Sequence, residues 1–266
     1  MPFFHILVLA VVQGITEFLP ISSSGHLLML PILLGWEDQG QSIDIAVHVG
    51  TLVAVVTYFR QDIFTLARAF LQPTAAGAAA DRRLGWHILN ASIPIILVGG
   101  LMYYFLRDEL RSLLLVAATT IIFGALLGYA DKFFPVTRSL RNMSWVDSFV
   151  IGLFQVLSLL PGTSRSGITM TAARMRGFNR TDGAHFSILL SIPTILGAGT
   201  LATYHMIKVG NVEIGLDALL AAVISCIVAF LCISLLMRWI EKIGYMPFVY
   251  YRLVMGLVLF GIYFMS

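Results

Sequence analysis

The chain has 266 residues, of which 58% are hydrophobic and only 12% are charged, and its mean hydropathy is +0.89. About a quarter of the residues of a soluble domain are charged, so this chain has too little polar surface for a water-soluble globule. Its net charge of +3 does not imply a nucleic-acid partner. Its cysteines, Cys226 and Cys232, form no metal or redox motif. Soluble enzymes, nucleic-acid-binding modules and disulfide-rich secreted domains are therefore excluded.

Apolar stretches of spanning length dominate the chain, at about 20 residues per membrane span. Six of them are predicted to be transmembrane helices: 45–60, 86–106, 113–130, 184–207, 216–238 and 247–265. Two shorter apolar segments, 3–19 and 146–160, run into loops rich in proline, glycine and serine and then become apolar again. Such backbone at membrane depth is tolerated only where it lines a protein cavity. We therefore predict two re-entrant helix–loop–helix hairpins, at 3–35 and 146–176.

The two hairpins resemble each other in sequence. An offset of 142 residues matches Gln13 with Gln155. The other matches are Ser22 with Ser164, Ser24 with Ser166 and Gly25 with Gly167. Each half of the chain, 1–130 and 146–266, would then contain one hairpin and three spans. Because three is odd, the second half enters the membrane from the opposite side, which predicts a single all-α membrane domain over 1–266 built as an inverted-topology repeat.

Lysine and arginine are distributed unequally between the two sides that this topology creates. One side receives only Arg107, Arg111 and Lys208. The other side receives twelve: Arg60, Arg68, Arg82, Arg83, Lys132, Arg138, Arg141, Arg174, Arg176, Arg180, Arg238 and Lys242. Because cytoplasmic loops of membrane proteins carry an excess of Lys and Arg, both termini and the open end of the first hairpin are predicted to face outward.

At the membrane depth of the two predicted hairpins there is one carboxylate, Glu17, and one guanidinium, Arg165. A charge at membrane depth costs roughly 2.5–3.5 kcal/mol on insertion scales, so each is a candidate functional residue. Gln13 is four residues before Glu17 and therefore shares its helix face. His26 follows three consecutive hydroxyl residues. The other candidates are small and hydroxyl residues of the two loops: Ser22, Ser23, Ser24, Gly25, Thr163, Ser164, Ser166 and Gly167.

These residue types together suit a phosphorylated ligand. Arginine and backbone N–H groups at helix starts bind phosphate, and a carboxylate beside phosphates commonly holds a divalent metal. Histidine and serine add an acid–base group and a nucleophile, so the set predicts cleavage of a phosphate ester or pyrophosphate. Two alternatives stay open: Glu17 and Arg165 form a structural ion pair, or the protein is a polyprenyl-phosphate transporter or flippase, because broken helices in inverted repeats are transporter architecture.

Other polar or small residues in apolar segments have simpler interpretations. His48 and His185 precede spans and are predicted to be interfacial. Arg252, beside two tyrosines, is predicted to extend to the membrane surface. Gly124 and Gly128 form a GxxxG pattern, which marks a helix contact or a dimer interface.

Two motifs carry a resemblance to a known family. Residues 13–26, QGITEFLPISSSGH, and residues 161–167, PGTSRSG, closely resemble the signature motifs of the bacterial undecaprenyl-diphosphatases, also called the bacitracin-resistance protein family. The resemblance covers essentially the whole chain. It implies hydrolysis of undecaprenyl diphosphate to undecaprenyl phosphate and inorganic phosphate, which recycles the lipid carrier of peptidoglycan synthesis and confers bacitracin resistance. It also implies a bacterial inner-membrane location, a divalent metal (Mg²⁺ or Ca²⁺) and a homodimer.

The resemblance also assigns roles to individual residues. Glu17 is the essential carboxylate and Gln13 its partner, and both are predicted to be metal ligands. Ser23 and His26 match the catalytic loop, where we expect Ser23 to attack the terminal phosphorus and His26 to take its proton. Phosphorylation of His26 and direct attack by metal-bound water are alternatives. Arg165 is predicted to grip the diphosphate, and the further substrate-binding residues are Gln13, Ser22, Ser24, Gly25, Thr163, Ser164, Ser166 and Gly167.

Overall fold

The computed structural model describes residues 2–36, 40–74, 77–105, 112–209 and 215–265. Within these ranges the chain is almost entirely α-helical, and the only β pairing is a single bridge between Arg138 and Phe178. Eleven α-helices are described: α1 Phe3–Thr16, α2 Ser23–Leu34, α3 Gly40–Tyr58, α4 Arg60–Leu71, α5 Ala78–Phe105, α6 Leu113–Phe133, α7 Trp145–Val156, α8 Arg165–Met175, α9 Arg180–Val209, α10 Leu216–Ile243 and α11 Met246–Met265.

Six of these helices are long and apolar enough to cross a membrane, namely α3, α5, α6, α9, α10 and α11. They correspond to the six predicted stretches, so a multi-pass membrane protein is confirmed. Three of them begin at least four residues earlier than predicted, α3 at Gly40, α5 at Ala78 and α9 at Arg180. The first turns of α5 and α9 contain Asp81 and Asp182, which stabilise a helix start but lower its hydropathy. Hydropathy therefore located the membrane part of each helix and not its polar extension.

One helix, α4, is not among the predicted elements. It is amphipathic, with Asp62 in its first turn, Arg68 in its last turn and a buried Ala69. A window that searches for continuous apolar spans does not detect a helix of this kind, because polar and apolar residues average out along it.

The two predicted helix–loop–helix units are formed by α1–α2 and α7–α8. With 14 and 12 residues, α1 and α7 are both shorter than a membrane span. Ser22 and Ser164 share an unusual backbone conformation, with φ values of 73° and 68°. Each accepts a hydrogen bond on its hydroxyl from a glycine N–H three residues later, at 3.3 Å from Gly25 and 3.1 Å from Gly167. The two units thus share local geometry as well as sequence.

Each short helix packs against a long helix from the other half of the chain, α1 against α10 and α7 against α5. Glycines allow the close approach. A Cβ at Gly14 would lie 2.9 Å from the carbonyl oxygen of Ser225, and one at Gly152 would lie 2.4 Å from that of Ala91. This exchange of packing partners places the loop after α1 and the loop after α7 in the interior of the helix assembly.

The GxxxG pattern of α6 packs against α11 of the same chain. A Cβ at Gly124 would lie 3.0 Å from the Cβ of Arg252, and one at Gly128 would lie 3.1 Å from Cγ1 of Val249. The predicted helix contact is therefore confirmed. The alternative, a dimer interface at this pattern, is wrong because α11 already covers that face.

The loops that were assigned to the basic side lie together. Three of these loops are joined by ion pairs between side chains and by a hydrogen bond from a side chain to a carbonyl. The contacts are Arg83 to the carbonyl of Arg141, Arg138 and Arg176 to Asp147, and Arg174 and Arg180 to Asp131. Of the three basic residues assigned to the other side, Arg107 and Arg111 lie outside the described residues.

Labelling of single cysteines tests the predicted crossing of α3. In a background with both native cysteines replaced by alanine, Gln41→Cys lies in the first turn of α3 and Thr74→Cys lies beyond its last residue, Tyr58. We expect a membrane-impermeant thiol reagent added to intact cells to label only one of them, and to label the other after permeabilisation. Labelling of both from the same side would contradict the crossing and the repeat that depends on it.

Candidate active site

The segment that joins α1 to α2 and the segment that joins α7 to α8 are connected by hydrogen bonds. The hydroxyl of Ser166 donates to the carbonyl of Leu19 at 2.9 Å, and the N–H of Gly162 donates to the hydroxyl of Ser24 at 3.5 Å. Each loop thus binds the backbone of the other. Because the predicted hairpins meet in this way, the expected convergence of their polar residues is confirmed.

Glu17 lies at the centre of this convergence. Its Oε1 accepts a hydrogen bond from Nη2 of Arg165 at 2.9 Å. Its Oε2 accepts from the hydroxyl of Ser23 at 2.8 Å and from Nε2 of Gln13 at 3.0 Å. The side chains of Glu17 and Arg165 are only 7% and 10% exposed. A carboxylate this buried is stable only when donors compensate for its lost hydration, and these three donors do so.

Arg165 is fixed by a second contact. Its Nη1 donates to the carbonyl of Ser187 on α9 at 3.2 Å, and its guanidinium lies 5.9 Å from the ring centroid of Phe18. These contacts hold the guanidinium plane while leaving donors available for a ligand.

His26 is turned away from Ser23. Its Nδ1 lies 2.7 Å from the carbonyl of Ser22 and must donate there, since a carbonyl oxygen only accepts. In the neutral imidazole Nε2 then accepts from the hydroxyl of Tyr251 at 2.6 Å. Three residues of helix rotate a side chain's direction by about 300°, so Ser23 and His26 diverge enough to meet different neighbours. The predicted Ser23–His26 hydrogen bond is therefore wrong, since the Ser23 hydroxyl donates to Glu17 instead.

A cavity of about 850 Å³ opens beside the Glu17 array. Five of the predicted site residues line it: Glu17, Ser23, Ser24, Ser164 and Arg165. The remaining lining is part polar and part apolar, and its apolar side chains are Ile45, Ile95, Leu159, Ile195, Ala198 and Ala202. The other predicted residues are buried behind this lining: Gln13, Ser22, Gly25, His26, Thr163, Ser166 and Gly167. The cavity therefore combines a charged wall with an apolar one.

Sequence reasoning missed six polar residues of the cavity: Gln41, Asp44, His48, Ser158, Thr194 and His205. Nε2 of His48 lies 3.8 Å from Oε2 of Glu17, and its Nδ1 donates to the carbonyl of Asp44 at 2.7 Å. The interfacial role predicted for His48 is wrong, because it lines the cavity. Asp44 and His48 are four residues apart and therefore share one face of α3, and this spacing is the feature of the sequence that could have indicated a common site.

Arg252 also differs from its prediction. It is completely buried and does not extend to the membrane surface. Its Nη2 donates to the carbonyls of Gly162 and Thr163 at 3.0 and 2.9 Å, and its Nε donates to that of Thr120 at 3.2 Å. Arg252 therefore connects the second loop, between α7 and α8, to α6 and α11.

The donor set for a metal is small. Among the described residues, no three His, Cys, Asp or Glu side chains converge as a metal site would need. However, Oε1 of Gln13 is buried with no hydrogen-bond partner in the described chain, and its amide binds Glu17. One carboxylate and one amide oxygen suit Mg²⁺, which usually keeps several waters and binds through one or two carboxylates together with substrate phosphates. The residues present thus fit an ion shared with a phosphorylated ligand rather than a closed protein cage.

Similarity to known proteins extends over nearly the whole chain. The family described as "Bacitracin resistance protein BacA" matches residues 6–258. An undecaprenyl-diphosphatase of Alteromonas mediterranea is 48% identical over 260 residues, which are 97% of this chain and 98% of that protein. Proteins of the same name from Nitrosococcus oceani and Hahella chejuensis are 47% and 46% identical, covering 99% and 96% of this chain and 100% and 96% of their own. The similarity is therefore not confined to the two motifs.

Substitution of Gly162 tests the packing of the second loop. Its φ is +88°, and an added Cβ would lie 2.2 Å from Oγ1 of Thr119 and 2.5 Å from the carbonyl oxygen of Val116. We expect Gly162→Ala to lower the free energy of unfolding by about 2–4 kcal/mol, measured as a lower thermal midpoint in detergent. Gly197→Ala is the control, because nothing lies within 4 Å of its added Cβ. Equal midpoints for the two variants would contradict this packing.

Proposed function

Because the chain belongs to the bacitracin resistance protein family, we propose that it hydrolyses undecaprenyl diphosphate to undecaprenyl phosphate and inorganic phosphate. The observation that carries this proposal is the contact of the Ser23 hydroxyl with the Glu17 carboxylate at 2.8 Å, beside the Arg165 guanidinium. A hydroxyl that donates to a base and lies next to a phosphate-binding cation is an arrangement for phosphoryl transfer. The relatives that are named undecaprenyl-diphosphatase support the same activity.

Both walls of the cavity suit such a lipid. The diphosphate would lie against Arg165 and against the N–H groups at the starts of α2 and α8, since helix starts leave backbone N–H groups available for anions. The prenyl chain would lie along the apolar wall, where Ile95, Ile195 and Ala198 contribute.

A transporter or flippase would need the phosphate-binding groups alone. Movement of a polyprenyl phosphate across the membrane does not require a serine hydroxyl whose proton is directed at a carboxylate. The Ser23–Glu17 contact therefore favours hydrolysis over transport.

In the proposed reaction the Ser23 oxygen attacks the terminal phosphorus while its proton passes to Oε2 of Glu17. The bond from that phosphorus to the bridging oxygen breaks, and undecaprenyl phosphate leaves. Arg165 stabilises the charge on the transferring phosphoryl group. Glu17 passes the proton that it took from Ser23 to the departing oxygen of undecaprenyl phosphate and becomes a carboxylate again. Water then attacks the phosphoserine and gives a proton to Glu17. The bond from phosphorus to the Ser23 oxygen breaks, Glu17 returns the proton to that oxygen, and inorganic phosphate leaves.

We also propose that a divalent cation, Mg²⁺ or Ca²⁺, is held by Glu17 and by Oε1 of Gln13 together with phosphate oxygens. When bound, such an ion neutralises phosphate charge. The unpartnered amide oxygen of Gln13 supports this assignment. Glu17 would then both help to hold the ion and accept the proton of Ser23.

The topology that we propose is an inverted repeat in the bacterial inner membrane, with two re-entrant hairpins and with both termini on the periplasmic side. The shared conformation of Ser22 and Ser164 supports the repeat, as does the exchange of packing partners between the halves. The cluster of basic loops supports a cytoplasmic location for that end. We further propose a homodimer, whose interface would have to avoid the α6 face that α11 covers.

Phosphate release from farnesyl diphosphate by the purified protein tests the proposal. We expect wild-type activity to be lost with EDTA and restored by Mg²⁺. Ser23→Ala and Glu17→Gln should lower kcat about a thousandfold or more, and Arg165→Lys about a hundredfold, because an ammonium group cannot replace the guanidinium fork. Ser139→Ala, outside the site, is the matched control. No phosphate release by a folded wild-type protein would contradict the proposed function, and near-normal turnover of Glu17→Gln would contradict its assignment.

A further inference from the structure

Two adjacent residues of α11 each hold one of the two site loops. Tyr251 binds the first loop through His26, and Arg252 binds the second loop directly. We propose that Tyr251 and Arg252 are positioning residues, which set the orientation of Ser23 and Arg165 relative to each other. This inference rests on the proposed function.

The connection to the first loop runs through a single peptide group. The Tyr251 hydroxyl and the His26 ring form a 2.6 Å hydrogen bond, and their rings are stacked with an interplanar angle of 5°. The other nitrogen of His26 donates to the carbonyl of Ser22. That carbonyl and the N–H of Ser23 belong to one planar peptide unit. Holding the carbonyl therefore fixes the peptide from which Ser23, the proposed nucleophile, extends.

This peptide needs to be held because Ser22 has a φ of 73°, a conformation that non-glycine residues rarely adopt. Such a residue costs free energy and keeps its conformation only when its surroundings impose it. The Tyr251–His26 pair supplies this constraint on one side of the loop, and the hydrogen bond from the N–H of Gly25 to the Ser22 hydroxyl supplies it on the other.

Arg252 makes the equivalent connection to the second loop. It donates to the carbonyls of Gly162 and Thr163, the two residues before Ser164, whose φ of 68° is equally unusual. The carbonyl of Thr163 belongs to the same peptide unit as the N–H of Ser164, one residue before Arg165. The hydrogen bond to Thr120 also ties Arg252 to α6.

The buried positive charge of Arg252 indicates that this residue has a role beyond stabilising the fold. The residue is fully buried, forms no ion pair with a carboxylate of the described chain, and has an Nη1 without a hydrogen-bond partner there. Burying a cation that donates only to carbonyls is costly, and an apolar side chain of similar size would fill the space more cheaply. A buried positive charge that contacts the second loop through the carbonyls of Gly162 and Thr163 favours the binding of an anionic diphosphate at that loop.

Because Tyr251 and Arg252 are neighbours on one helix, the two loops are fixed to a common rigid element. A displacement of about 1 Å at the reacting groups can lower a rate by about a hundredfold. The two contacts should differ in their effect on KM, since Ser23 acts only in the chemical step, whereas Arg165 also binds the diphosphate before the reaction. Loss of the Tyr251 contact should lower kcat alone, whereas loss of the Arg252 contacts should raise KM as well.

Tyr251→Phe is the sharpest variant, because it removes one hydroxyl and keeps the ring stack. We expect kcat for farnesyl diphosphate to fall about tenfold with KM and the thermal midpoint unchanged. Tyr250→Phe, the same change at the exposed neighbouring tyrosine, should match the wild type. In a His26→Ala background, measured under single-turnover conditions, Tyr251→Phe should have no further effect, because the hydroxyl acts through the imidazole.

Arg252→Lys and Arg252→Gln test the second loop. We expect both to raise KM about tenfold or more in protein that elutes as a single folded species. Failure of both variants to fold would show that Arg252 serves folding itself, which would overturn its assignment. Unchanged KM in folded protein would do the same.

The inference for Tyr251 is overturned if the wild type is active and Tyr251→Phe behaves as Tyr250→Phe does. It is also overturned if the effect of Tyr251→Phe is undiminished in the His26→Ala background, since the hydroxyl would then act by another route. Absence of phosphate release by the wild type would instead overturn the proposed function, and this inference with it.

Discussion

The ion pair between Glu17 and Arg165 joins two chain segments whose polar groups are buried among apolar helices. Both side chains are almost completely buried where these helices are interrupted, so a charge or an unpaired peptide group there needs a partner from the protein. Each loop meets these needs with groups from the other. The carboxylate and guanidinium pair at 2.9 Å, the Ser166 hydroxyl binds the carbonyl of Leu19, and the Gly162 N–H binds the hydroxyl of Ser24. The site is thus stable only as an assembly of both halves.

The two halves contribute the same scaffold but different chemistry. Equivalent serines and glycines cap α2 and α8 in the same way, at Ser22 and Gly25 and at Ser164 and Gly167. The positions that carry reactive groups differ between the two segments. At an offset of 142 residues, Glu17, Ser23 and His26 align with Leu159, Arg165 and Ile168. The shared serines and glycines therefore shape the loops, whereas residues that differ supply the proposed base, nucleophile and phosphate-binding cation. One broken helix alone would lack either the nucleophile or the cation.

Hydropathy and helix-breaking residues were sufficient to predict the spans and the loops, because both depend on local sequence. Isolated charges in apolar segments were sufficient to predict that Glu17 and Arg165 meet. The partners of His26 and Arg252 could not be predicted, because α11 is more than 80 residues from either loop in sequence and its register against them is a tertiary property. His48 was missed for a related reason, since its i, i+4 relation to Asp44 shows a shared face but not that this face lines a cavity.

The central claim is that the Ser23 hydroxyl, with its proton directed at Glu17, is the nucleophile. Rapid quenching of the enzyme with substrate labelled at the terminal phosphate tests it most directly. The arrangement predicts an acid-stable phosphoserine at Ser23 that forms and decays within one turnover. An acid-labile adduct on His26 would contradict the claim, and so would the absence of any adduct together with substantial turnover by Ser23→Ala.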